Sequence, residues 1–249
     1  MLSVKPRPLF SPPFSVTFSS PKHSKRPFTL STKSSKTSIT MSIIEHVVLF
    51  KVKDDTDQAK VNMMLNGLNG LVSLDPVVHL TAGPVFCTRS PISNFTHMLH
   101  SRYKSKEDLN SYSAHPDHLR VVKENVLPIC DDIMAVDWVA DNDPLPLSLP
   151  CNSAIKVTLK LKENLNNEVQ DNVSGIQQIT CGENFSPARA RGFSIASVAV
   201  FNGVNEMEGS EENEEYVNLQ KQKVRDYLDG VIVVDYVVPS SSSSSSSNL

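Results

Sequence analysis

The strongest constraint on the fold of this chain is that its sequence repeats. Three segments between residues 47 and 139 have counterparts later in the chain, in the same order. The matching pairs are VVLFKVK (47–53) with IKVTLKLK (155–162), NFTHMLHSRY (94–103) with GFSIASVAVF (192–201), and VDWV (136–139) with VDYV (234–237). Self-similarity at this period indicates a tandem duplication, which predicts two copies of one structural unit.

The first copy has a readable order of elements. An alternating strand at 45–53 is followed by a segment with apolar residues at helical spacing, which ends at Asp75-Pro76 because proline disfavours a helical residue before it. Two more strands, a second helix interrupted near Pro116 and a closing strand give the order β-α-β-β-α-β. We therefore predict an α+β fold of two tandem ferredoxin-like units. The predicted parts are unit 1 at 42–141, a proline-rich linker at 142–152 and a degenerate unit 2 at 153–239.

Both ends of the chain have the composition of targeting segments. Residues 1–40 contain ten Ser, five Thr and seven Lys or Arg but no Asp or Glu, which is typical of an organellar transit peptide and predicts a disordered presequence for the chloroplast. An unbroken serine run, 240–247, predicts a disordered tail. The last three residues, Ser247 to Leu249, resemble a weaker form of the Ser-Lys-Leu peroxisomal signal. We predict delivery to the peroxisome, the chloroplast or both.

Charge and hydropathy exclude two classes of partner. Subtracting the +7 of residues 1–40 from the net charge of −3 leaves −10 for residues 41–249, and so acidic a chain is not expected to bind nucleic acid. No apolar run approaches the 18 or more residues that span a bilayer, so no membrane partner is expected either. The four cysteines are far apart and predict free thiols in a reducing compartment.

The duplication provides an internal control on the histidines. Six of the seven lie between His46 and His118, and the second unit has none. The repeat aligns His46 with Ile155, and it aligns His97 and His100 with Ile195 and Val198. A fold that forms twice, once without these histidines, does not require them, so they are candidates for a site.

The quoted segments resemble the stress-responsive dimeric α/β-barrel (Dabb) domain. EHVVLFKVKDD, FTHMLHSRYKSKEDLNSYSAHPDH and VDWV carry the resemblance, which is strong over residues 43–140 and weak over 153–239. It implies that two four-stranded sheets meet to close a barrel. Unit 2 is expected to take the partner's place within one chain, or two chains associate as a homodimer.

The same resemblance implies candidate functional residues. In one enzyme of the family, olivetolic acid cyclase, a tyrosine and a histidine six residues later form an acid/base pair, which corresponds to Tyr112 and His118. Histidines in the first and third strands line its pocket and correspond to His46 and His97. This chain departs from that enzyme at two positions. It has Cys130 where the enzyme has a tryptophan, and Ala135 where the enzyme has a bulky apolar side chain.

The residues themselves suggest a pocket of mixed character. Tyr112, His115 and His118, spaced by three, are predicted to lie along one stripe of a helix. His46 and His97 are predicted to face the same cavity, beside apolar side chains from the first and third strands. The predicted ligand-pocket residues are His46, Val48, Phe50, His97, Leu99 and His115, and the catalytic pair of an enzyme would be Tyr112 and His118. Histidine is the natural general base near neutral pH, and a tyrosine hydroxyl can donate to a developing enolate.

Three interpretations of this pattern stay open. His115 or His118 can hydrogen-bond the backbone of a strand and lock the kink at Pro116, because buried polar groups are nearly always paired. The stripe can also bind a small apolar ligand without turnover, or act as a cyclase or lyase. Since the motif occurs in family members without enzymatic activity, the first function we predict is a non-enzymatic or small-ligand-binding stress-response protein, with no required cofactor.

The family resemblance also implies a structural magnesium ion. Some members hold one on backbone carbonyls at the end of the first helix, which matches Asn69, Val72 and Asp75. The last carbonyls of a helix lack partners and carry partial negative charge, which suits a hard cation.

Overall fold

The computed structural model describes residues 42–88, 94–140, 148–160, 175–210 and 230–240 of the 249-residue chain. All of these belong to one compact unit, Ile39–Leu249. The predicted presequence, most of the predicted linker and nearly all of the predicted serine tail lie outside the described residues. So do the two segments of unit 2, 161–174 and 211–229, where most of its helical residues were expected.

Unit 1 has the predicted order of elements. They are β1 (Ile43–Val52), α1 (Gln58–Gly70), β2 (His79–Thr88), β3 (His97–Tyr103), α2 (Lys106–Ala114), α3 (Pro116–Val121) and β4 (Cys130–Ala140). Side chains determine where the helices begin: Asp57 accepts from the amide of Ala59 at 2.7 Å, and Ser105 accepts from that of Asp108 at 3.0 Å. Each satisfies an amide that has no partner within the helix.

Unit 2 repeats the strands of unit 1. Its described elements are β5 (Ala154–Lys160), β6 (Ile176–Glu183), β7 (Ile195–Phe201), α4 (Val204–Gly209) and β8 (Val231–Val237). None of the helices in the described ranges is both long and apolar enough to cross a membrane.

The eight strands of the described ranges form one antiparallel sheet in the order β4-β1-β3-β2-β8-β5-β7-β6. The two units join where β2 pairs with β8, with Val85 beside Tyr236. The outer strands, β4 and β6, also approach each other: the amide of Phe185, just after β6, donates to the carbonyl of Asp137 at 2.9 Å. The sheet is therefore a nearly closed barrel, and unit 2 takes the partner's position within the same chain, which is the first of the two arrangements that the resemblance implied.

The sheet has a buried cluster on each side. Inside the barrel, apolar residues of both units pack together, including Val47, Met134 and Val136 of unit 1 and Ile155, Val157 and Val234 of unit 2. On the other side of unit 1, the helices cover a second cluster that includes Met64, Leu68, Leu99, Leu109 and Val126. Burying each such side chain contributes about 1.5–3 kcal/mol of hydrophobic free energy, so both layers stabilise unit 1.

Two glycines let the units approach each other across the barrel. A Cβ on Gly182 of β6 would lie 2.9 Å from Cδ1 of Trp138 and 2.7 Å from the Val139 carbonyl. At the corresponding place in unit 1, a Cβ on Gly83 would lie 3.3 Å from the Tyr236 ring. Each unit therefore presents a glycine to the large aromatic side chain of the other.

Candidate functional site

Strand register brings the candidate site together on the helix-covered side of unit 1. His46 of β1 lies beside Ser101 of β3 on one side and beside Asp137 of β4 on the other. Side chains alternate along a strand, so the neighbours of His46, Glu45 and Val47, point into the barrel. The histidine that sequence reasoning selected therefore lies next to an aspartate that it did not select.

A histidine–aspartate pair forms the centre of the site. Nδ1 of His46 is hydrogen-bonded to Oδ1 of Asp137, whose side chain is fully buried. Burial raises the pKa of Asp137, but the hydrogen bond and charge of His46, with Ser186 and Arg189, outweigh it and lower the pKa. Nδ1 of His46 donates to the ionised Asp137. Nε2 is the ring nitrogen left to form a hydrogen bond with a bound molecule.

The same carboxylate binds an arginine of unit 2. Nη2 of Arg189 donates to Oδ2 of Asp137 and, at 3.1 Å, to Oγ of Ser186. Half of the Arg189 side chain is exposed, so its guanidinium lies between the buried carboxylate and solvent. The pKa of His118 is lowered, mainly by burial and partly by the charges of His46 and Arg189. Arg189 is therefore within electrostatic reach of His118.

Aromatic rings surround His46 on the helix side. The centroid of its ring lies 6.3 Å from that of Tyr103 and 6.4 Å from that of Tyr112. The rings of Tyr112 and His118 are 4.6 Å apart. His46, Tyr112 and His118 are thus brought together, as the sequence predicts.

The two tyrosines form a buried pair. Oγ of Ser101 lies 3.0 Å from the hydroxyl of Tyr103, whose ring centroid lies 5.2 Å from that of Tyr112. Burial raises the pKa of both tyrosines well above the usual range. Both phenols are therefore neutral near pH 7, and Tyr112 is positioned by Tyr103 as well as by its own helix.

The helix that carries the motif breaks at His115, so the motif does not form a single stripe. The backbone of His115 is extended, its side chain accepts from the amide of Asp117 at 3.2 Å, and Pro116 begins α3. His118 turns back, with Nδ1 at 3.0 Å from the carbonyl of Ser113. Both histidines thus bond to the backbone at the kink, and the backbone groups belong to helices, not to a strand.

The other predicted pocket residues are distributed unequally. Phe50 and Leu99 belong to the same buried cluster as Tyr112, and Val48 packs against it. His97 shares this face, but it pairs with Phe50, four residues along β1 from His46, or about 13 Å at the rise of a strand. His115, whose side chain is 37% exposed, caps a helix away from the cluster.

A loop of unit 2 completes the site of unit 1. The loop Asn184–Arg189 follows β6, and its first residue accepts from the amide of Asp137 at 3.1 Å through Oδ1. The ring of Phe185 packs against the helix-side cluster of unit 1, and Nζ of Lys106 lies 4.3 Å from its centroid. The polypeptide leading to Arg189 is therefore attached to the strand that carries Asp137.

A second polar cluster lies on the opposite, barrel-facing side. Glu45 accepts from Nε2 of His100 at 2.6 Å, from Nη2 of Arg102 at 2.9 Å and from Thr180 of unit 2 at 3.1 Å. Burial raises the pKa of Glu45, but the charges and hydrogen bonds of His100 and Arg102 outweigh it and lower the pKa to about 2. All four residues are fully buried. We call this group the barrel cluster.

Strand register also corrects the alignment of the two units. Asp137 pairs with His46 in unit 1, and Asp235, its counterpart in VDYV, pairs with Lys156 in unit 2. The alignment of His46 with Ile155 is therefore wrong by one residue, since alternating apolar residues match almost equally well after such a shift. Nζ of Lys156 lies 2.9 Å from Oδ1 of Asp235, so unit 2 has an ion pair where unit 1 has His46 and Asp137.

Two site residues were missed by sequence reasoning. Asp137 was used only as a marker of the repeat, although an acid between Val136 and Trp138 in a buried strand needs a partner. Arg189 lies in a loop of the other unit, and nothing in its local sequence relates it to His46.

The predicted magnesium ligands lie at the end of α1. Asn69 is bound through its side chain to the backbone of Ala82 on β2, and Val72 and Asp75 are exposed. Backbone carbonyls at these places are oxygen donors of the type that magnesium prefers. Within the described ranges, no group of three or more His, Cys, Asp or Glu side chains is arranged to hold a metal.

Comparison with known proteins covers nearly the whole chain. A family model described as the stress responsive A/B barrel domain matches twice, at residues 44–140 and 151–238. One stress-response A/B barrel domain-containing protein of Arabidopsis thaliana is 52% identical over 99% of this chain and 100% of its own length. A second protein of the same description, from the same plant, is 50% identical over 81% of this chain and 99% of its own length.

The fold of both units together also has a solved counterpart. A protein from Fusobacterium nucleatum matches 81% of this chain and 94% of its own with a TM-score of 0.52, at 14% sequence identity. At that identity the likeness concerns the fold alone.

Proposed function

We propose, from the premise that this chain belongs to the stress-responsive A/B barrel domain family, that its first domain binds a small, mostly apolar molecule with an oxygen function. The site is the helix-covered side of the first domain, around His46, Tyr112 and His118. One observation carries the proposal: His46 is held by Asp137 through Nδ1, which leaves Nε2 to form a hydrogen bond among aromatic and aliphatic side chains. Small-molecule sites combine an apolar lining with a few oriented polar groups in this way.

The second domain supports this choice. The fold of a domain requires the buried aspartate to have a partner, and Lys156 serves Asp235 in that role. A histidine with a second ring nitrogen is not needed for that purpose. His46 therefore adds a hydrogen-bonding group that folding alone does not demand.

A fluorescent apolar probe tests the proposal. N-phenyl-1-naphthylamine should bind the full chain saturably, and Leu99→Trp, which fills the helix-side cluster, should weaken binding at least tenfold. Leu119→Trp is the matched control, because Leu119 is 54% exposed, and it should leave binding unchanged. Equal binding by wild type and Leu99→Trp would place the probe elsewhere and contradict the proposal.

NMR spectra of the histidine rings provide a test that uses only the wild-type protein. On addition of the probe, the imidazole signals of His46 and His118 should shift, while that of His115, which caps a helix at the surface, should not. Shifts confined to His115 would count against the site.

A second candidate function is proton abstraction next to a carbonyl, as a cyclase or lyase requires. The observation in its favour is that burial lowers the pKa of His118, so this side chain is in the neutral form that a general base needs near pH 7. Tyr112, a neutral phenol, would donate to the developing enolate. Incubating the protein with acetylacetone in D₂O should then accelerate exchange of the central protons, and His118→Asn should abolish that acceleration. Exchange at the buffer rate in wild type would leave binding alone.

Four further expectations are proposals with their own tests. Fluorescent fusions of the full chain, of a form starting at Met41 and of one lacking Ser247 to Leu249 would test chloroplast and peroxisome delivery. Light scattering would test for a homodimer. A rise in melting temperature with Mg²⁺ would test the carbonyl site at the end of α1. Retention in peroxisomes of a Met41 form without Ser247 to Leu249 would overturn the proposed signal.

A further inference from the structure

We infer that Arg189 of the second domain selects the ligand of the first domain's site by binding an anionic group, a carboxylate or phenolate, on an otherwise apolar molecule. This inference rests on the proposed binding function and makes its ligand class specific. It also assigns the degenerate second domain a direct part in the site.

The position of Arg189 is fixed by the loop that carries it, because hydrogen bonds attach that loop to the strand of Asp137. Asn184 binds the amide of Asp137 and also donates, through Nδ2, to the carbonyl of Phe193 at 2.8 Å. The amide of Phe185 donates to the carbonyl of Asp137 at 2.9 Å. A guanidinium on a loop held at both of these points remains at the edge of the site.

The guanidinium retains capacity for a ligand. Only Nη2 takes part in the hydrogen bonds found for Arg189 among the described residues, to Asp137 and Ser186. Half of the side chain is exposed. An arginine has five N–H donors in a planar fork that matches the two oxygens of a carboxylate. The buried Asp137 lies behind it, while half of the side chain is exposed to solvent.

The surroundings of Arg189 favour an anion with an apolar body. Phe185 provides an aromatic wall that packs on the helix-side cluster, and the ammonium of Lys106 lies over the same ring. The ammonium of Lys106 and the half-exposed guanidinium of Arg189, with Asp137 behind it, thus both occur at the Asn184–Arg189 loop, although residues 41–249 carry a net charge of −10. An anion is attracted locally here, and the hydrophobic part of the ligand enters beside Phe185.

The alternative role for Arg189 is to neutralise Asp137 and nothing more. In the second domain, Lys156 neutralises Asp235 from within the same sheet. In the first domain the corresponding residue is His46, and the compensating cation comes from the other domain. A role limited to charge compensation would affect charged and neutral ligands equally, which makes the two roles separable.

The test uses two probes with the same apolar body. 8-Anilinonaphthalene-1-sulfonate is N-phenyl-1-naphthylamine with an added sulfonate group, which stands in for the anionic group of the ligand, and it should displace the neutral probe from wild type. Arg189→Gln should weaken binding of the sulfonate at least tenfold and change that of the neutral probe by less than twofold. Arg189→Lys, which keeps the charge without the fork, should show an intermediate loss for the sulfonate.

Arg191→Gln is the matched control. Arg191 lies in the same loop region, is 48% exposed and pairs with Asp132, so its replacement should alter neither probe. Equal weakening of both probes by Arg189→Gln and Arg189→Lys, or no change in either, would overturn the inference. The proposed binding function fails separately, through a neutral probe that Leu99→Trp does not affect.

Discussion

Glu45 and His46 are neighbours in one strand, but their side chains enter two different polar networks. Glu45 points into the barrel and is surrounded by His100, Arg102 and Thr180, none of which is exposed. His46 points to the helices, and its network passes through Asp137 to Arg189, half of which is exposed. Both networks include residues of the second domain, but the network of His46 is the one that ends in a half-exposed side chain.

This difference separates structure from function in unit 1. A charged cluster closed on all sides contributes through its internal pairing, and breaking that pairing leaves a buried charge. A network that ends in a half-exposed cation can exchange partners with a ligand. We therefore expect the barrel cluster to hold the domains together, and the His46 network is the one that we propose for binding.

The largest effect on stability is expected in the barrel cluster. Glu45→Gln removes the negative charge opposite Arg102 and His100, and it should lower the free energy of unfolding by about 3–5 kcal/mol in urea denaturation. Asp132→Asn, which breaks the exposed pair with Arg191, should cost at most about 1 kcal/mol. A loss below about 1 kcal/mol for Glu45→Gln would show that the barrel cluster does not hold the domains.

Glu45 of the barrel cluster and the neighbouring His79 should also make stability depend on pH. The pKa of Glu45 is lowered to about 2, and burial, with the charges of His100 and Arg102, lowers the pKa of His79 to about 3. Both groups bind protons more readily in the unfolded chain, so stability falls as pH decreases, from pH 6.5 for His79 and from pH 4.5 for Glu45. The contribution of Glu45 is roughly 3 kcal/mol.

Denaturation at pH 7, 5.5 and 4 would measure this dependence. His79→Gln should make the fall in stability between pH 6.5 and about 3 less steep, while His100 and His118, whose pKa values are also lowered, keep part of the slope below pH 6.5. A variant curve parallel to that of wild type would mean that His79 does not titrate as a buried group.

Packing in the barrel gives a smaller effect with an internal control. Gly182→Ala places a methyl group 2.9 Å from Trp138 and 2.7 Å from the Val139 carbonyl, and it should cost about 1–3 kcal/mol by overpacking. Gly83→Ala meets the Tyr236 ring at 3.3 Å and should cost less. Melting temperatures would show the order, and a greater loss for Gly83→Ala would contradict the close contact described at Gly182.

The smallest effect on stability is expected on the helix-covered side, at Tyr112. Tyr112→Phe removes one buried hydroxyl beside Tyr103 and keeps the ring contact between them, so it should cost at most about 1 kcal/mol. An unchanged melting temperature would mean that the hydroxyl has no structural role, which would strengthen its assignment to a ligand. Probe titration of the same variant would then measure that role.

The sequence was informative where the structure depends on local pattern. Strand alternation, helical spacing and the repeated VDWV and VDYV segments predict the α+β units, and these are confirmed. The grouping of His46, Tyr112 and His118 on one side was also predicted. His115 was misplaced because the spacing of three assumes an unbroken helix, whereas Pro116 requires an extended residue before it.

The parts that the sequence did not reveal depend on contacts between distant segments. Register decides that Lys156, not Ile155, corresponds to His46, and a shift of one residue exchanges the two faces of a strand. Glu45 appears in the sequence as an ordinary acid near the start of a strand, and only the barrel surrounds it with Arg102 and Thr180.

By itself, the sequence determined that this protein consists of two related α+β domains, with histidines in the first alone, because periodicity and duplication are properties of the chain. Only the tertiary structure decided which neighbours those histidines have. Closing the sheet brings β6 and its loop against β4, so Arg189 reaches Asp137 across 52 positions of sequence. Such a contact depends on the geometry of the closed barrel, which no local stretch of either domain encodes.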